Sequence, residues 1–276
     1  MIDRSVVFTL AVKEVCDAAR NRWLWLMTAA FSALATGAVW LSLAGSEVAG
    51  GGGYGRAAAA MVNLVLFFAP LMGLTIGASA LAGERERGTL VTLLTQPVSK
   101  ADIFLAKLLG LSAALLAATA TSFALAALAM AGRGGGDAKA LLTLAAATAL
   151  LVEASLALGL LVSALSSRVV AAVGTAIFLW LALTLLTDLG LMTGAMAFRL
   201  RTPALFGAAV ASPLQAFKLL VVASATDAVD TLGPVAVYAR RTLGSALPAA
   251  LLGSLALWTA LPLTAAGAIF CRRSAA

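Results

Sequence analysis

The chain has 276 residues, 62% of them apolar and 11% charged, with a mean hydropathy of +1.03. Soluble domains carry about 45–50% apolar and about 25% charged residues, so most of this chain faces lipid or other helices rather than water. The formal charge of +7 fits the Lys and Arg excess of cytoplasmic loops in membrane proteins, and without a basic, aromatic-interleaved soluble segment it does not point to nucleic acid.

Taken in chain order, residues 3–22 predict an amphipathic helix lying in the membrane interface. Lys13, Asp17 and Arg20 recur at i, i+4 and i+7, with Lys13 and Asp17 placed to pair. Val7, Phe8, Val12, Val15 and Ala19 fall on the other side. Apolar runs then predict six spans, near 23–44, 61–81, 103–131, 141–164, 169–191 and 247–270, about the number this length holds at about 20 residues per crossing. The chain reads as a single all-α transmembrane domain over 1–276. Trp23, Trp25 and Trp40, near the ends of the first span, fit interfacial anchoring. Glycine-rich turns at Gly50–Gly53 and Gly134–Gly136 mark two short outer loops. Basic residues concentrate on the other side, which places both termini in the cytoplasm.

Between spans two and three, Glu84, Arg85, Glu86 and Arg87 form a charged start, followed by Gly88 and Thr89. Leu90, Leu93 and Leu94 then sit at i, i+3 and i+4, and Pro97 ends the helix. Such a segment suits insertion into a groove on a cytoplasmic partner. An ordinary solvated loop with interfacial leucines fits the same pattern.

Within the spans, Glu153 lies near the middle of the fourth, where a carboxyl is costly and marks a candidate functional position. A polar link to a neighbouring helix is the plainer reading. Asp188 sits near the outer end of the fifth, close to water. Met192 and Met196 share a helix face, and thioethers suit Cu(I), but methionine in an apolar helix is usually gap-filling, so they make only a weak metal candidate. Residues 192–246, broken by Pro203, Pro213, Gly233 and Pro234, predict a small helical segment on the outer side. With no histidine, and cysteines only at 16 and 271, neither a Cys–His metal cluster nor a Cys–His dyad is available. The run from Gly132 to Lys139 lacks the Gly-Lys-Ser/Thr order of a phosphate-binding loop, so the chain binds no ATP that way, and no catalytic site is read from it.

The stretch Gly83-Glu84-Arg85-Glu86-Arg87-Gly88-Thr89-Leu90, with Leu93-Leu94, Pro97-Val98-Ser99 and Lys107, resembles the signature of the ABC-2 family of transporter permeases. The N-terminal interfacial helix, the run Leu161–Arg168 and the six-span count extend the likeness over most of the chain. Lys100 stands where the family often has Arg. The resemblance implies a type V exporter-like fold with an elbow helix at 3–22 and a coupling helix at 84–97 that docks on a separate ATPase. ATP and Mg would be bound by that partner, in two copies, and this chain, itself a homodimer, would hold no cofactor. Asn21-Arg22-Trp23-Leu24, Ser212–Leu220, Trp258–Leu263 and Arg272-Arg273 resemble the branch of the family that serves nitrous oxide reductase maturation in the bacterial inner membrane. That likeness implies a periplasmic partner, with Pro213, Phe217 and Lys218 as candidate contacts. An exporter of a drug, lipid or polysaccharide shares every coupling-helix feature. An ion-coupled secondary transporter using Glu153 and Asp188 would need internal repeats, which the sequence does not display.

Overall fold

The computed structural model describes residues 4–49, 53–89, 98–132, 138–196, 202–224 and 242–272. Every regular element among them is helical. An N-terminal helix α1 (Arg4–Ala19) is followed by α2 (Arg22–Ala49), α3 (Gly53–Glu86), α4 (Lys100–Ala131), α5 (Ala138–Leu165) and α6 (Val169–Met196). Two short helices, α7 (Thr202–Val210) and α8 (Pro213–Ser224), precede the last long one, α9 (Leu247–Arg272). Among the described residues six helices are long and apolar enough to cross a membrane: α2, α3, α4, α5, α6 and α9. These are the six expected runs, each extended at one or both ends.

The centre of the bundle is the α3–α5 pair. In each, 67% of the apolar window is buried within the chain, against 11% for α6, which packs chiefly on α3 and turns the rest of its surface outward. Small residues let the central backbones touch. A Cβ on Gly73 would lie 2.7 Å from that of Ser155, one on Gly77 2.8 Å from the Leu156 carbonyl oxygen, and one on Gly159 2.6 Å from that of Leu74. Lipid is as apolar as leucine, so membrane helices associate by such close packing and by interhelical hydrogen bonds. The Ser32 hydroxyl of α2 meets that of Ser122 in α4 at 2.8 Å. Beside them Phe31 stacks against Phe68 and Phe123, with ring centroids 5.6 and 5.9 Å away.

The non-spanning helices pack on the bundle as well. The first of them is α1. It is pressed on α4 at Gly110, where a Cβ would lie 2.5 Å from the Glu14 Cβ and 2.7 Å from the Ala11 carbonyl oxygen. It ends at Ala19 because Asn21 caps the next helix, its side-chain oxygen accepting from the Trp23 amide at 2.9 Å. Within 192–246, α6 continues to Met196, α7 and α8 are bent by 106° at their junction, and α8 packs on α9 and α5. The last carbonyls of α7 have no helical partner; the Ser254 hydroxyl donates to that of Val210 at 2.6 Å, and the Trp258 indole to that of Ala211 at 3.0 Å.

Candidate functional site

The charged end of α3 gathers the polar chemistry of the molecule. Glu84 is only 4% exposed, and its Oε1 lies 2.8 Å from the Lys107 ammonium of α4. Lys107, 3% exposed, also donates to both carboxylate oxygens of Glu14 in α1, each at 3.0 Å. One buried cation thus joins three helices, and a buried charge is tolerated only when so paired. Lys13 closes the outer side, 3.3 Å from Glu14, 3.1 Å from Asp17 and 3.7 Å from Glu84. Burial works against the Lys13 charge, but Glu14, Asp17 and Glu84 outweigh it, so its pKa stands above the ordinary lysine value.

The next two residues turn the other way. Arg85 donates to the Ser166 carbonyl at the end of α5, and the Glu86 carboxylate accepts from the Val169 amide at 2.6 Å. That amide is an orphan donor at the N-terminus of α6, where negative charge is favoured. One turn earlier, the buried Ser163 hydroxyl accepts from the Leu81 and Ala82 amides, each at 2.9 Å. A side chain reaching amides inside a helix loosens its ladder locally. Gly88 then takes φ +72, the left-handed conformation that ends helices. The Thr89 hydroxyl donates back to the Glu84 carbonyl at 3.3 Å.

The four-residue collar is therefore divided. Glu84 points into the fold, Arg85 and Glu86 grip the turn between α5 and α6, and Arg87, Gly88 and Thr89 are exposed. Leu90, Leu93, Leu94 and Pro97 lie outside the described residues. Beyond them, Ser99 and Asp102 form a capping box at the start of α4: the Ser99 hydroxyl accepts from the Asp102 amide at 3.1 Å, and the Asp102 carboxylate accepts from the Ser99 amide at 3.3 Å. Beside it Lys100 donates to the Cys271 carbonyl near the end of α9 at 3.3 Å. The sequence reading overlooked both Asp102 and Glu14. The first was legible as Ser-x-x-Asp before an apolar run. Nothing local distinguishes the second.

The other candidates stand apart from this junction. Glu153 is half-buried on α5, its Oε2 accepting from the Ser112 hydroxyl of α4 at 2.6 Å, while its buried Oε1 has no partner among the described residues. The side chains of Asp188, Met192 and Met196 lie outside the described residues. Pro213 and Phe217, read as outer contacts, are both buried, Phe217 at 0% exposure, because α8 folds back into the bundle; Lys218 is half-buried. The correction is that this face of α8 is a packing surface of the chain itself. Among the described residues no group of three His, Cys, Asp or Glu side chains is arranged to hold a metal. Cys16 and Cys271 are exposed.

The model of the family described as "ABC-2 family transporter protein" matches residues 8–275. The chain belongs to the ABC-2 transporter family. It is 33% identical over 282 residues to the "Probable ABC transporter permease protein NosY" of Pseudomonas aeruginosa, a match covering 97% of this chain and 98% of the relative. A protein of the same description from Stutzerimonas stutzeri is 38% identical over 104 residues, 38% of each chain. As an ABC-2 protein with six apolar helices, it is a multi-pass membrane protein. Its junction ties the end of one span, α3, to a second span, α4, to the N-terminal helix and to the turn between α5 and α6.

Proposed function

We propose that this chain is the permease subunit of an ATP-driven ABC transporter, coupling the ATPase cycle of a separate cytoplasmic subunit to work across the bacterial inner membrane. Its likeness along nearly the whole chain to a protein named as an ABC transporter permease supports the reading. The observation that carries it is the Lys107 junction. A segment entered through Glu84, Arg85 and Glu86 and left through Ser99 and Asp102 is clamped at both ends to long helices. A push on residues 90–97 therefore moves α1, α3, α4 and the α5–α6 turn together, the rigid-body transmission that such transitions use.

In this reading Thr89, Leu90, Leu93, Leu94 and Pro97 meet the ATPase, Glu84, Arg85 and Glu86 anchor the segment behind them, and Arg87 turns back toward the cleft beside the junction. The ATPase is NosF-like, present in two copies, and holds ATP and Mg; this chain holds no cofactor. A second copy of the chain completes the membrane part. Val170, Phe178 and Leu186, exposed by 83%, 73% and 72%, give α6 an apolar face for that copy or for lipid. Both termini lie in the cytoplasm. The cycle does conformational or transport work on a NosD-like periplasmic protein, in support of copper–sulfur centre assembly in nitrous oxide reductase. That protein meets the outer connections rather than Pro213 or Phe217.

Co-purification in mild detergent of the tagged chain with the co-expressed ATPase tests the reading. Two ATPase copies per pair of chains are expected. Leu93→Asp with Leu94→Asp should abolish their recovery and reductase maturation while the chain still inserts. ATPase recovery and maturation unchanged in that variant would refute the docking assignment.

A further inference from the structure

Beside the junction a cleft of about 760 Å³ opens between α1, α3, α4 and the start of α6. Its charged wall is largely self-satisfied: Lys107 and Lys13 take up Glu14, Glu84 and Asp17. Two further cations line the same cleft, Arg20 just past α1 and Arg87 just past α3. Both are exposed, and neither has an ion-pair partner among the described residues. The four cations of the lining outnumber its three carboxylates, which leaves an unmet positive charge at the mouth. The inner wall is apolar, made by Ile76, Ala80 and Leu111.

The two chemistries are arranged along one axis. From Arg87 back to Ile76 the cleft follows about three turns of α3, about 16 Å at 1.5 Å per residue. The depth is that of the membrane border. Trp23 is 41% exposed and donates its indole to Thr75, the residue next to Ile76, at 3.0 Å. Trp25 donates to the last carbonyl of α1, that of Ala19, at 2.7 Å. Amphipathic indoles of this kind gather at the headgroup level. A free small anion would use only the guanidinium rim. A cationic rim joined to an apolar wall at headgroup depth matches a phosphodiester carrying acyl chains.

We infer that this cleft binds an anionic phospholipid, its phosphate held between Arg20 and Arg87 and its first acyl carbons laid along Ile76, Ala80 and Leu111. The lipid bridges α1 and α3 next to the Lys107 junction. The inference does not depend on the proposed transport function.

The test is titration of the purified full chain in neutral detergent with short-chain phosphatidylglycerol, phosphatidylcholine and inorganic phosphate. Saturable binding of phosphatidylglycerol is expected, with phosphatidylcholine weaker and inorganic phosphate unable to displace it. A juxtamembrane Arg contributes about fivefold, so Arg20→Gln with Arg87→Gln should weaken binding by about thirtyfold, while Arg20→Lys with Arg87→Lys keeps most of it. Arg22→Gln removes an exposed charge at the same depth that does not line the cleft, and should change nothing. Equal loss in that variant would mean diffuse surface charge and overturn the site. Undiminished binding in the double Gln variant would also overturn it. Inorganic phosphate binding as tightly as phosphatidylglycerol would reassign the rim to free anions and overturn the lipid assignment.

Discussion

Replacing Lys107 with Met removes the cation that Glu14 and Glu84 share and leaves its shape largely filled. The side chain is 3% exposed, and its contacts of 2.8, 3.0 and 3.0 Å are all to carboxylate oxygens. Without it two carboxylates face each other in a water-poor site, and breaking a buried pair by removing one partner costs about 3–5 kcal/mol. Lys13, 3.3 Å from Glu14 and 3.7 Å from Glu84, offsets part of this, so the lower end, about 3 kcal/mol, is expected. Adding Glu14→Gln and Glu84→Gln removes the uncompensated charges and should bring stability back to within about 1–2 kcal/mol of wild type. Unfolding of the purified protein in mixed micelles, followed by circular dichroism against denaturing detergent, measures each step. If Lys107→Met alone lies within about 1 kcal/mol of wild type, the ionic junction is not what holds α1, α3 and α4 together. A triple variant as unstable as the single one would argue the same, since the loss would then be one of packing rather than charge.

Gly110→Ala should cost about 1–3 kcal/mol and loosen α1, since the new Cβ meets Glu14 and the Ala11 carbonyl. Gly37→Ala, with nothing within 4 Å, should be neutral or slightly stabilising; protease cleavage near residue 20 reports the difference. The pKa of Lys13 is raised in the folded state, so its pairs stabilise fully through neutral pH and lose that contribution only as pH climbs through the raised value. The stability difference between wild type and Lys13→Gln should therefore stay constant across neutral pH and shrink in strongly alkaline solution; a difference that grows with pH would contradict the assignment. Glu153→Gln keeps an acceptor for Ser112, so the unfolding midpoint should move by less than about 1 kcal/mol, whereas Glu153→Leu leaves the Ser112 hydroxyl unpaired and should cost more.

The spans were legible because each is a long apolar run, and a bilayer leaves a backbone few options but a helix. The charged start at 84–87 was legible too, though its division was not. Four consecutive charges look like one solvated collar in a sequence. Which of them turns inward depends on Lys107 from another helix and on the Ser166–Val169 turn, partners 81–83 positions away for Arg85 and Glu86. Glu14 offered no local sign of its role, because its partner lies 93 positions on. Phe217 misled for a related reason: Pro213, Phe217 and Lys218 look like an exposed outer patch until α8 is seen folded back against α9.

By itself the sequence determined that this is a helical membrane protein with six spans, an amphipathic N-terminal helix and a polar connection between the second and third spans. Composition and run length decide those features, because they set how much of the chain a bilayer accepts. Only the tertiary structure decided which residues face one another: the Glu14–Lys107–Glu84 junction, the glycine contacts between α3 and α5, and the return of α7 and α8 into the bundle. In lipid an apolar side chain is equally at home against a helix or against acyl chains, so hydropathy records depth in the membrane and leaves the choice of neighbour to packing and to a few buried polar groups.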